Sequence, residues 1–95
     1  MFLLLLQVGL ASVYTDHEVY CPGYHYDASI MTAAHRTIPC GSWVKVTNRR
    51  TGQVVVLRVT DRGPYVAGRI VDLTPSAAQR IGLNGLEAVT LEQLD

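Results

Sequence analysis

The chain has 95 residues, and eight Lys and Arg balance eight Asp and Glu to give no net charge. That length buries one core and carries one site. The even mixing of charge leaves no basic stripe, which excludes a nucleic-acid binder, and the apolar opening Met1-Phe2-Leu3-Leu4-Leu5-Leu6-Gln7-Val8 falls far short of the roughly 20 residues of a membrane-spanning helix, so no span is expected.

Residues 1–8 read instead as the remnant of a secretory signal, four leucines running into the small residues Gly9, Ala11 and Ser12; the alternative is a leucine-rich first strand. No cysteine stands near that junction to carry a lipid anchor. The folded domain is therefore expected over residues 9–95, exported to the periplasm or secreted, as a monomer. Residues 9–14 read as the first strand. Residues 15–29 mix Tyr, His, Asp, Pro and Gly without periodicity, and a loop of that length in a small domain is usually functional. A helical turn is expected over residues 31–35. Trp43-Val44-Lys45-Val46-Thr47 alternates apolar and polar side chains, Asn48 to Gly52 supply a turn, and residues 54–59 resume as a strand, which makes a β-hairpin with Trp43 assigned to its core side. Residues 69–73 form another strand. A helix follows, with Thr74 as cap, Pro75 in the first helical position, residues 76–81 as body and Gly82 as its end. Residues 88–91 are the last strand. Short apolar strands between turn residues define a mainly β chain, a barrel or a sandwich.

Cys21 and Cys40 each adjoin Pro and Gly, where loop ends meet easily, and read as one disulfide formed in an oxidising compartment; the alternative is two buried thiols. Two cysteines do not complete a zinc site and the histidines show no paired-ligand spacing, so neither a metal nor another cofactor is expected.

Four places carry groups able to do chemistry. Asp61 ends a long apolar strand beside Arg62 and a Gly-Pro turn; a carboxylate there can donate a proton, pair with Arg62 or simply hold the turn. His35 lies among small residues that allow close approach, and a histidine can orient a carboxylate, move a proton or serve as a buried brace. His25-Tyr26-Asp27 offers a carboxylate with aromatics suited to sugar rings. Asp72, two residues before the helix cap, is explained by the helix dipole or as a further acid. No serine-hydrolase elbow, phosphate loop, zinc-protease or dinucleotide motif is present.

Five stretches carry a resemblance: Gly9-Leu10-Ala11-Ser12-Val13-Tyr14; Met31-Thr32-Ala33-Ala34-His35-Arg36-Thr37-Ile38-Pro39-Cys40-Gly41; Val44-Lys45-Val46-Thr47-Asn48; Val59-Thr60-Asp61-Arg62-Gly63-Pro64-Tyr65; and Gly68-Arg69-Ile70-Val71-Asp72-Leu73-Thr74-Pro75-Ser76-Ala77-Ala78. In that order they resemble the rare lipoprotein A family, over nearly the whole chain. The resemblance implies a six-stranded double-psi β-barrel with one or two short helices, acting on peptidoglycan glycan strands by lytic transglycosylation. In that reaction an acid protonates the oxygen between N-acetylmuramic acid and N-acetylglucosamine, and the muramic acid's 6-hydroxyl closes onto C1 to leave a 1,6-anhydro end. By position it implies Asp61 as acid/base, His35 and Asp27 beside it, Asp72 as a rival, and Arg62, Tyr65, Tyr24, Tyr26 and Thr32 as glycan contacts. The chain departs from the family where a Gly-Glu is usual and Gly23-Tyr24 stands instead, with His17, Glu18 and His25 as the groups at hand to replace the glutamate. A non-catalytic, expansin-like wall-loosening module that stacks glycan on Trp43 or the loop tyrosines is the second function, and a domain that docks an envelope partner the third.

Overall fold

The computed structural model describes residues 3–15 and 20–94. Six strands, β1 (Leu3–Val13), β2 (Thr32–Ala34), β3 (Trp43–Asn48), β4 (Val54–Asp61), β5 (Arg69–Leu73) and β6 (Glu87–Leu94), close into a barrel in the order β1-β5-β2-β4-β3-β6. One helix, α1 (Pro75–Arg80), follows β5. The pairs β1/β5 and β2/β4 are parallel and the other four are antiparallel.

The alternation read from the sequence fills the barrel. Val44, Val46, Val55, Leu57 and Val59 point inward from the β3–β4 hairpin and meet Val71, Leu73, Val89 and Leu91. The turn joining the hairpin is closed by Gly52 N–H donating to the Asn48 carbonyl at 2.7 Å. Asn48 is itself buried, with its side-chain amide donating to Ile81 O at 2.9 Å, so the end of β3 is tied to the end of α1. The helix ends as expected: Gly82 (φ +63°) takes the left-handed conformation, its N–H donates to Gln79 O, and that of Leu83 donates to Ala78 O at 2.8 Å.

Several elements differ from the sequence reading. The strand expected at residue 9 begins at Leu3, and residues 5–8, expected to belong to a leader, pair with residues 90–93 of β6. Their two-residue alternation, with Leu5 against the core and Leu6 and Val8 outward, suits a barrel strand as well as it suits an apolar signal. Residues 32–34, expected to be helical, form β2, because β4 and β5 supply partners on both sides of Ala33 and Ala34 and tertiary pairing overrides alanine's helix preference. Trp43 is not in the core: it is 43% exposed and its ring lies under Arg58, the residue opposite it on β4, at 4.7 Å. Thr74 starts α1 without capping it, since its hydroxyl donates to Ile30 O at 2.8 Å and accepts the Thr32 N–H at 3.2 Å, which ties the start of β2 to the helix.

Cys21 and Cys40 form the disulfide, with a sequence separation of 19. Closing a loop of this size contributes about 3 kcal/mol by restricting the unfolded chain. Reduction is expected to lower the melting temperature by several degrees or more, measured calorimetrically with and without reductant; coincident curves would show that the bridge adds no stability.

Candidate active site

The short strand β2 lies between β4 and β5, and its last residue, Ala34, is opposite Asp61 on one side and Asp72 on the other. Asp72 in turn is opposite Ser12 of β1. Four strands therefore place Ser12, Asp72, Ala34 and Asp61 in one row, with the two aspartate backbones two interstrand spacings, about 10 Å, apart. Strict alternation from Val59 would send Asp61 into the core. A bulge prevents this: Ala33 pairs with Val59 and Ala34 with Asp61, so Thr60 is the extra residue and Asp61 joins the face of Ala34.

Asp61 is fully buried. Its Oδ1 accepts the backbone N–H of Arg62 at 2.8 Å and that of Tyr20 at 3.0 Å, so the loop that carries Cys21 rests on the carboxylate. Arg62 does not turn its guanidinium back along its own strand. The Nη1 donates to the carbonyls of His35 and Ile38, and Nη2 reaches Cys40 Sγ at 3.3 Å, so Arg62 holds the strap that follows β2. Asp72 accepts the Ser12 hydroxyl and lines a pocket of about 380 Å³ with Ser12, Tyr14, Tyr20, Arg62 and Tyr65. Tyr20 and Tyr65 are 59% and 72% exposed and form its aromatic walls. Gly63 (φ +114°), where a side chain would be strained, starts the turn that carries Tyr65 there.

Tyr14, at the end of β1, joins the two carboxylates. It is buried, it lines the pocket, and Thr32 hydrogen-bonds its phenol. Burial first, and then the neighbouring Asp61 carboxyl group, drive the phenol well above the ordinary tyrosine range, so it stays a neutral hydroxyl. The sequence reading assigned neither Tyr14 nor Ser12 to the site. The signal available was two polar groups, spaced two apart, at the end of an otherwise apolar strand. In the glycan cleavage that the family resemblance implies, Tyr14→Phe is expected to lower the rate by about tenfold and displace the pH–rate profile while leaving the melting temperature within a few degrees. An unchanged profile would remove Tyr14 from the site.

The remaining candidates fall elsewhere. The buried His35 donates from Nε2 to Gln7 Oε1 at 2.8 Å, while Nδ1 accepts the N–H groups of Thr37 and Ile38, both at 3.1 Å. Its ring faces a separate pocket of about 260 Å³ with Gln7, Arg36, Thr37 and Ile70. Only its backbone meets the carboxylate strand, through His35 N–H to Asp61 O at 3.2 Å. Burial, followed by the charges of Arg36 and Arg62, lowers the imidazole to about 4. His35 is thus a neutral brace on the strap. Asp27 is exposed and caps its own turn, accepting from Ser29 N–H at 2.9 Å and Ser29 Oγ at 2.6 Å; these bonds hold its carboxyl below the usual range. Tyr26 packs on Tyr14 with ring centroids 5.1 Å apart and donates to Tyr14 O, so it supports the site from behind. Tyr24, His25 and Thr32 line a third pocket with Trp43. His17 and Glu18 lie outside the described residues.

A closed six-stranded barrel in which parallel pairs β1/β5 and β2/β4 bring two carboxylates around one alanine defines a double-psi β-barrel with a carboxylate site. The chain belongs to the lytic transglycolase family, whose model matches residues 6–91. It is 40% identical over 89 residues to the endolytic peptidoglycan transglycosylase RlpA of Yersinia pestis, covering 90% of this chain and 25% of that protein. With the protein of the same name from Pseudomonas aeruginosa the identity is 41% over 93 residues, covering 93% of this chain and 27% of that protein. With that of Vibrio cholerae it is 54% over 61 residues, 64% of this chain and 23% of that protein. The chain thus spans about a quarter of the length of these curated relatives. A solved structure, a Streptomyces papain inhibitor, shares the fold with a TM-score of 0.75 at 24% identity, covering 98% of this chain and 97% of that one. No helix among the described residues is long and apolar enough to cross a membrane.

Proposed function

We propose that this barrel is an endolytic peptidoglycan lytic transglycosylase module, cleaving the β-1,4 bond between N-acetylmuramic acid and N-acetylglucosamine and leaving 1,6-anhydro ends. The observation that carries the reading is the row Ser12, Asp72, Ala34, Asp61 beside a pocket with two exposed tyrosines. Asp61 gives its proton to the glycosidic oxygen as the C1–O bond breaks. It then takes the proton of the muramic acid's 6-hydroxyl as that oxygen bonds to C1. The nucleophile belongs to the substrate, so no site for an attacking water is required, unlike in an inverting glycosidase. Asp72, held by Ser12 and open to the pocket, faces the positive charge that develops on the sugar ring. Tyr14 and Thr32 fix the space between the two carboxylates.

Asp61 is covered by the Tyr20 backbone in the free chain, so glycan entry displaces that segment before the acid meets the bond. The disulfide and the relatives' wall substrate together support a periplasmic or secreted module that acts on glycan strands. The test is mass spectrometry of purified peptidoglycan digested by wild type, Asp61→Asn and Asp72→Asn. Anhydro-muramic products from wild type that vanish with Asp61→Asn support the assignment; loss confined to Asp72→Asn transfers the acid role to Asp72.

A second reading rests on Tyr24. It stands where the family usually has a glutamate, and it lies in the Trp43 pocket, not beside Asp72. A barrel with that group absent can bind glycan without turning it over. Wild-type chain that pulls down with insoluble wall and releases nothing would establish this binding module in place of the enzyme.

A further inference from the structure

The pocket on the far side of the carboxylate row is left without a role by the chemistry above. It has a volume of about 320 Å³ and is lined by Tyr24, Met31, Thr32, Trp43, Arg58 and Thr60, among others. Two of these residues connect it to the site: Thr32 hydrogen-bonds the phenol of Tyr14, and Thr60 is the bulge residue that immediately precedes Asp61. The third pocket therefore borders the residues that hold Tyr14 and Asp61, although the two pockets have no lining residue in common.

The third pocket differs in character from the first. Trp43 is 43% exposed, and the Arg58 guanidinium lies over its ring at 4.7 Å, which fixes the plane of the indole. Ile30 and Met31 on the loop leading into β2 are exposed beside it, giving an apolar rim. A flat, pre-oriented aromatic with an apolar rim, in a pocket that two threonines also line, matches a pyranose. Such a ring has an apolar face of C–H groups and an edge of hydroxyl and acetamido groups.

We infer that the Trp43 pocket is a glycan-binding subsite that stacks an N-acetylhexosamine ring of the same strand whose bond lies at Asp61. This rests on the proposed glycan-cleaving function and adds to it where the strand is gripped. The sugar lies on the indole, Arg58 holds the indole in place, and Thr32 and Thr60 face the edge of the sugar.

Trp43 is the only tryptophan in the chain, so its emission reports this pocket alone. The probe is a soluble tetrasaccharide of alternating N-acetylglucosamine and N-acetylmuramic acid, titrated into wild type and Asp61→Asn. A blue shift of Trp43 emission is expected in both. In steady-state cleavage, Trp43→Ala is expected to raise KM by about tenfold with kcat unchanged, and Trp43→Phe to fall between it and wild type. Trp43 is exposed, so neither change should alter the melting curve, which is the control for folding. Saturable binding seen by calorimetry with unchanged emission, or a wild-type KM in Trp43→Ala, overturns the subsite while leaving the cleaving function intact. Conversely, an emission shift in a wild-type chain that releases no anhydro product overturns that function and leaves the subsite standing. Failure to bind the tetrasaccharide at all overturns both.

Discussion

Asp61→Asn is expected to lower release of 1,6-anhydro-muramic products by about two to four orders of magnitude, the range of a general acid's contribution. The fold should survive. Asparagine keeps an oxygen where Oδ1 now accepts the backbone N–H groups of Arg62 and Tyr20, and it preserves the volume of a fully buried side chain. What it removes is the proton that Asp61 gives and regains. Quantitative mass spectrometry of digested peptidoglycan, together with melting curves of both proteins, separates these effects. A variant that cleaves at the wild-type rate would eliminate Asp61 as the acid and leave Asp72 as the carboxylate facing the pocket.

The second large effect concerns acid. In the unfolded chain His35 takes up a proton as pH falls through about 6.5, whereas in the barrel it resists until about 4, because it is buried and lies near Arg36 and Arg62. Between those values the unfolded state binds more protons, so stability is complete above about 6.5 and falls as pH drops toward 4. In a domain of this size the melting temperature is expected to fall by several degrees over that range. The structural cause is specific: protonating Nδ1 removes the acceptor shared by Thr37 and Ile38 N–H. His35→Asn keeps an acceptor oxygen at that position but does not titrate. Its melting temperature should therefore vary much less between pH 7 and 4, and an equally steep decline in that variant would place the acid sensitivity elsewhere. Glu87, held near 2 chiefly by its bond to Arg50, loses its own contribution as pH falls below about 4.5, so it overlaps the histidine window only at the acid end, and the comparison is cleanest between pH 7 and 5.

The barrel was legible wherever side-chain alternation met turn residues. Val44 and Val46, Val55 to Val59, and the Pro75 to Gly82 helix needed only local pattern, and each lies where that pattern puts it. Ala33 and Ala34 misled because their strand character comes entirely from partners at Val59, Asp61, Asp72 and Leu73, far off in sequence. The same nonlocality hid half of the site. Asp61 was recognisable as a carboxylate ending a strand, but its relation to Asp72 exists only through Ala34, and that of Asp72 to Ser12 only through the β1/β5 pairing. For Asp27, the local pattern did not show that Ser29, two residues on, occupies its carboxylate. For Trp43 the alternation of β3 was sound and the assignment of its faces was not: Val44 and Val46 point inward, so Trp43 faces out.

The seam of the barrel, where β1 runs antiparallel to β6 from Leu3 opposite Leu94 to Ala11 opposite Glu87, has a kinetic consequence. The first strand waits for the last, β1/β5 joins segments separated by more than half of the chain, and β2/β4 joins segments separated by about a quarter of it. Such wiring offers little that folds early by itself, and domains dominated by distant pairings fold in milliseconds to seconds, not microseconds. A chain released gradually, residue by residue, therefore stays open until β6 has emerged, and closes as a single cooperative unit once it has.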